Sequence, residues 1–218
     1  MTARYVRATP LQRSPTEIHT TGAIHADNHQ KSEKAEKVEQ FETKETRTMY
    51  YRTEGWRCRK GQILDEDNAT VLYDIDMRVR RPNLTFRSPP RDNMTVGTIK
   101  FSPMTRAIEA DTEHGTIHVK SNNWKCVDLP YTSPAFGGRT LTWQRRTPWV
   151  VIDHYLIDEN AMPIARIRPK CSLKDACAFE FVDRDLPQDA IDEIIMTGLA
   201  VFQNTQLYAA SYVTAAVS

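Results

Sequence analysis

Hydrophobic and polar residues alternate through residues 71–80, Val-Leu-Tyr-Asp-Ile-Asp-Met-Arg-Val-Arg. Val71, Tyr73, Ile75, Met77 and Val79 share one face, and Asp74, Asp76, Arg78 and Arg80 share the other; only Leu72 is out of pattern. A two-residue period over this length predicts a half-buried strand in an antiparallel sheet with one wet face. The same alternation runs through residues 149–157 and 162–168, where Ala165 and Ile167 oppose Arg166 and Arg168. Short runs rich in Val, Ile, Thr and aromatics predict further strands at 49–53, 56–63, 84–87, 95–101, 106–111, 116–121, 140–145 and 176–182. Asp158-Glu159-Asn160, Glu113-His114-Gly115 and Ser102-Pro103-Met104-Thr105 read as hairpin loops, and Gly137-Gly138 precedes the strand at 140. Pro82, Pro89, Pro90, Pro130, Pro134 and Pro148 are expected between strands, because proline cannot donate to a ladder. An antiparallel meander this long must close on itself or split into two sheets.

The pattern changes after Asp185-Leu186-Pro187, which supplies a cap and an early proline for a helix from 188 to about 209. Asp189, Asp192 and Glu193 fall near the positive end of its macrodipole. From residue 194 to 202 the helix is apolar on every side, with Thr197 the only polar side chain. Such a helix is buried all round. A helix laid across an open sheet needs a wet outer face, whereas one about 10–12 Å across fits inside a closed, many-stranded barrel. Gly198, unfavourable inside a helix by roughly 1 kcal/mol, is expected where strands approach closely. The competing reading is an oligomerisation helix covered by a second subunit.

A long meander followed by a C-terminal helix bearing Asp192-Glu193-Ile194-Ile195-Met196-Thr197-Gly198-Leu199-Ala200 resembles the tubby C-terminal-like superfamily. Within it, the chain is most similar to an uncharacterised group of fungal domains. Their recurring elements resemble Thr140-Leu141-Thr142-Trp143, Pro163-Ile164-Ala165-Arg166-Ile167 and Ala178-Phe179-Glu180-Phe181 here. The resemblance covers roughly residues 49–203. It implies a mainly β fold, a closed antiparallel barrel of about twelve strands around a central hydrophobic helix. Relatives with this fold do not share one function, so the fold does not fix an activity.

Residues 1–45 contain two aromatics, Tyr5 and Phe41, with seven basic and seven acidic side chains. Such a segment cannot offset about 1–2 kcal/mol of backbone entropy per residue, so a disordered tail is expected before a barrel domain at 46–218. The tail is either a plain solvated leader or a segment that recruits a partner. In the whole chain of 218 residues, 29 Lys and Arg balance 28 Asp and Glu. A net charge of +1 gives no global field toward nucleic acid, and no nucleic-acid partner is expected. Cys58, Cys126, Cys171 and Cys177 form no C-x-x-C pair and read as free thiols. The first thirteen residues lack an apolar signal core, so the sequons at Asn68, Asn83 and Asn93 read as chance matches. The expected location is intracellular, in the cytoplasm, with peripheral membrane contact at most.

No catalytic motif, metal site or cofactor is expected. His114 and His118 would sit about 13 Å apart along a strand, too far to share a metal. Asp153 and His154, adjacent in an alternating strand, point to opposite faces and cannot act as a dyad. Trp56, Trp124, Trp143 and Trp149 read as core or barrel rim. The remaining signal is arginine: Arg78, Arg80, Arg81, Arg87 and Arg91 lie close together, and Arg145-Arg146 and Arg166-x-Arg168-x-Lys170 form two further groups. Converging guanidinium groups hold phosphorylated headgroups by bidentate hydrogen bonds. Arg78, Arg80, Arg81, Arg87, Arg166, Arg168 and Lys170 are therefore the candidate headgroup ligands. The competing reading is a solvated outer face with Arg78 and Arg80 paired to Asp74 and Asp76. The function expected is a non-catalytic binding module that meets an anionic phospholipid or a protein partner through the barrel surface. The alternatives are an enzyme or carrier of small apolar ligands inside the barrel, and an assembly protein that works through its tail.

Overall fold

The computed structural model describes residues 46–54, 59–81, 83–102, 107–120, 128–145, 153–170 and 175–216, with side chains as far as residue 206. The strands are β1 (Arg47–Glu54), β2 (Lys60–Leu64), β3 (Val71–Met77), β4 (Leu84–Ser88), β5 (Met94–Phe101) and β6 (Ile108–Thr112). They continue as β7 (Gly115–Val119), β8 (Asp128–Ser133), β9 (Arg139–Arg145), β10 (His154–Ile157), β11 (Pro163–Pro169) and β12 (Asp175–Phe181). The helix α1 (Gln188–Ala216) follows. All the strands belong to one sheet in the order β7-β6-β5-β4-β3-β2-β1-β12-β11-β10-β9-β8. Each ladder is antiparallel and joins sequence neighbours, except that β12 returns to β1. The outer strands β7 and β8 also follow each other in the chain, and they lie side by side without a ladder. The meander thus closes almost completely into a barrel, which removes nearly all of its edge.

The two-residue period decides what goes inside. Opposite residues in a ladder share a face, so Tyr73 of β3 lies beside Ile63, and Ile75 beside Phe86. All four are buried. Inside this wall Ile194, Ile195, Met196, Leu199, Ala200 and Val201 of α1 are fully shielded from water by their own chain. No second subunit is needed to cover the stretch, which settles the choice between enclosure and an oligomerisation helix for residues 194–202. Thr197 is accommodated because its hydroxyl donates to the Glu193 carbonyl at 2.8 Å and accepts the Trp143 indole N–H at 3.1 Å. Phe202 meets Tyr51 edge-on, with ring centroids 6.3 Å apart. A β-carbon on Gly198 would stand 2.9 Å from Ile167, Phe179 and Trp143 side-chain atoms, so the helix passes there only because the residue has none.

Several boundaries differ from the sequence reading. The helix continues to Ala216 rather than about 209. β8 was not foreseen, and Pro130, expected between strands, lies within it opposite Thr142. Proline is tolerated there because β8 is the last strand of the sheet. β3 stops at Met77, short of Arg80, and Val79 is 97% exposed instead of facing the core. The chain leaves the sheet at that point because the Arg78 N–H donates to the Asn83 carbonyl at 2.7 Å, and the Asn83 amide holds the Arg78 and Val79 carbonyls. The tail at 1–45, Trp56, Trp124, Trp149, Cys58, Cys126, Cys171, Arg146 and the turn at 103–106 lie outside the described residues. Cys177 is a buried free thiol. Among the described residues, no helix is long and apolar enough to cross a membrane.

Candidate functional site

The predicted cations divide into two groups at separate places on the sheet, and only Arg166 among them is buried. Arg78, Arg80 and Arg81 sit in the turn between β3 and β4 around the exposed Val79. Arg78 pairs with Asp76 at 3.0 Å while its side chain stays 60% exposed, and the Arg81 guanidinium donates to the Phe101 carbonyl at 3.1 Å. Among the described residues, Arg80 and Arg81 make no ion pair. Arg87, on the outer face of β4, reaches the same Asp76 at 3.9 Å. Asp74 instead accepts from Gln62 at 3.1 Å.

Arg166, Arg168 and Lys170 belong to β11 and its exit, four strand spacings or about 19 Å around the sheet from β3. Arg166 does not reach solvent. Its guanidinium donates twice to the Asp153 carboxylate, at 3.0 and 2.9 Å, and lies 5.0 Å from the Tyr155 ring centre. Glu180 approaches it at 3.9 Å and also pairs with Arg168, whose side chain is exposed. Lys170 sits over the Tyr50 ring. The seven candidate cations therefore do not converge. Arg78, Arg80, Arg81 and Arg87 make one surface, and Arg166 is part of an internal ion-pair network.

A second polar cluster, which motif and spacing arguments did not identify, occupies the barrel mouth where α1 begins. The single 3-10 turn Pro89–Arg91 and the left-handed Asp92 and Asn93 (φ 52° and 57°) deliver Arg91 to the helix. Its guanidinium grips Asp192 with two hydrogen bonds, 2.8 and 2.9 Å. The Tyr73 hydroxyl donates to the same carboxylate at 2.5 Å, and Gln188 bridges tyrosine and aspartate at 2.9 Å. Burial, and then the Asp192 charge, push the Tyr73 phenol well above its ordinary range. The hydrogen bonds to Asp192 raise Arg91 in turn. Tyr73 and Arg91 lie 119 and 101 residues from Asp192, so no local signal links them.

Next to Asp192 along the helix, Glu193 is 3% exposed and accepts the Ala135 N–H at 3.0 Å. Burial raises its pKa above the ordinary carboxylate range, outweighing nearby Ser133, the Ala135 N–H and Tyr131, while Asp189 adds to the rise. Because the folded pKa exceeds the unfolded one, the carboxyl stabilises the fold most below the unfolded value, and that contribution is lost as pH rises through the folded value. Glu193→Gln is therefore expected to raise the thermal midpoint at about pH 8 and to change it little at about pH 4. Calorimetry at the two pH values checks this; a gain of equal size at both would show that the carboxyl is not strained by burial.

Compared with protein-family models, curated proteins and solved structures, the chain matches none. Among the described residues, no group of three or more His, Cys, Asp or Glu is placed to hold a metal ion.

Proposed function

We propose that this chain is a non-catalytic binding module, kin to the tubby C-terminal-like superfamily, that docks at anionic phospholipid headgroups through the turn between β3 and β4. The observation that carries the proposal is the composition of that turn: Val79 stands 97% exposed between Arg78 on one side and Arg80 and Arg81 on the other. Guanidinium groups bind phosphate oxygens in pairs, and an exposed branched aliphatic side chain between them suits the boundary of headgroups and acyl chains. The Asn83 side chain clamps the turn through two backbone carbonyls and the Phe101 N–H, so little ordering is required on binding. Arg87, partly tied to Asp76, borders the same surface, whereas Arg166 contributes to folding rather than docking. The interior reading loses ground because α1 fills the barrel with side chains.

Basic residues near an anionic leaflet contribute about 1 kcal/mol each, so reversing Arg78, Arg80 and Arg81 to glutamate is expected to weaken binding to phosphoinositide vesicles roughly hundredfold or more. Co-sedimentation across a salt series measures it, with affinity of the unaltered protein falling as salt rises. Binding no tighter than to neutral phosphatidylcholine vesicles at low salt would discard the lipid proposal.

A further inference from the structure

The near-balance of charge in the whole chain conceals a division between the two ends of the barrel. Each strand reverses the one before it, so the connections alternate between the end where α1 enters and the end where it leaves. Arg91 on Asp192 and the Ala135 N–H on Glu193 mark the entry end. The Gln203 amide donating to the Met77 sulfur, at 3.0 Å, marks the exit end, immediately before the arginine turn. We infer that the exit end as a whole is the docking face: the barrel stands end-on at an anionic lipid bilayer, with the end of α1 entering the headgroup layer. The inference rests on the docking proposal above and extends it from one turn to one end of the molecule.

Charge makes the first argument. The connections at the entry end carry nine acids, Asp65, Glu66, Asp67, Asp158, Glu159 and Asp185 among them, against Arg91 and Arg184. At the exit end, among the described residues, the connections supply Arg59, Arg78, Arg80, Arg81, Lys120 and Lys170. Their one acid, Asp153, is buried against Arg166. From Asp189 to Gln203 the helix rises about 21 Å, roughly two Debye lengths at about 0.1 M salt, so a surface at one end is screened from the other.

Spacing makes the second. Lys120 follows β7 and Lys170 follows β11, each four places around the sheet from β3, or about 19 Å. No one headgroup spans that rim, whereas a plane meets all of it at once. A flat polyanionic surface is therefore the partner that this spread of cations fits, and the exposed Val79 suits a bilayer. The helix makes the third argument. Its backbone continues ten residues past the exposed Gln206, about 15 Å, to Ala216. From Ile194 onward the sequence has no Asp, Glu, Lys or Arg. An uncharged helix end beside a cationic rim enters the headgroup layer without burying a charge.

Co-sedimentation of the full chain with phosphatidylcholine vesicles containing phosphatidylinositol bisphosphate tests the orientation. Lys120→Glu and Lys170→Glu, both remote from the arginine turn, are each expected to weaken binding about fivefold or more. Asp185→Lys, an equal change of charge at the entry end, is expected to leave it within about twofold. Lys120 is exposed, so its variant carries the test where loss of the Lys170 contact with Tyr50 unfolds the chain. On the same vesicles, hydrogen exchange should slow at amides 207–216 and stay unchanged at 65–70 and 158–162. Binding lost on reversing Arg78, Arg80 and Arg81 but kept in Lys120→Glu would overturn the end-on orientation and leave docking to the turn alone. Equal slowing of exchange at both ends would overturn it as well. Sedimentation no greater than with pure phosphatidylcholine would overturn the docking proposal and this one with it. Salt-labile self-association without vesicles, abolished by Lys120→Glu and by Asp185→Lys alike, would overturn it in favour of a second copy, basic end on acidic end.

Discussion

Valine at Gly97 is expected to destabilise the protein by about 3 kcal/mol, the upper part of the overpacking range, read as a lowered midpoint in urea. Gly97 lies on β5 between Phe86 and Thr112, facing inward. A β-carbon there would stand 2.5 Å from the Asp111 carbonyl oxygen and 2.5 Å from the Met196 methyl, before any further carbon is added. Met196 is unbranched and can turn away, but the carbonyl belongs to the ladder between β5 and β6 and cannot. Alanine at the same site should cost less, about 2 kcal/mol, because a smaller side chain clashes less and stiffens the unfolded chain. The effect belongs to the helix as much as to the strand. Combining Gly97→Val with Met196→Ala should therefore restore part of the loss, giving a favourable coupling in a double-mutant cycle. Strict additivity would mean that α1 does not press on β5.

Asp153→Ala is expected to cost about 3 kcal/mol, because it strands a buried guanidinium rather than merely deleting a contact. Arg166 is 5% exposed, and Asp153 accepts two short hydrogen bonds from it. Glu180 remains nearby at 3.9 Å but is shared with Arg168, so it compensates only in part. Replacing both partners by apolar residues of similar volume, Asp153→Leu with Arg166→Met, should cost less than Asp153→Ala alone. Denaturant titrations of the three proteins check the order. A single-site loss below about 1 kcal/mol would place the pair among ordinary surface bridges.

The architecture was legible because two periods carried it. Alternation placed Tyr73, Ile75, Ala165 and Ile167 on the inner face, and the unbroken apolar belt of residues 194–202 required a wall on every side. β8 was illegible for a specific reason: Pro130 broke the pattern, and nothing local marks β8 as the last strand of the sheet, where a missing ladder donor does no harm. Val79 fitted the alternation but not the geometry, since Asn83, four residues on, ends the strand first. Alternation places Arg166 on the outer face, but an outward side chain is not thereby exposed. Asp153, Glu180 and the Tyr155 ring enclose it, and only the ladder among β10, β11 and β12 brings them together. At the barrel mouth, the helix dipole accounts for Asp192 and Glu193 but does not say what they meet. Tyr73, Arg91 and Ala135 arrive through barrel closure, a long-range event that leaves no mark beside either carboxylate.

Native-state hydrogen exchange along α1 tests the enclosure of the helix most directly. Amides 191–202 should all exchange only through global unfolding, with free energies matching that from denaturant and unchanged on dilution. Fast exchange along one flank of the helix, or protection that fades as the protein is diluted, would contradict a plug sealed by its own barrel.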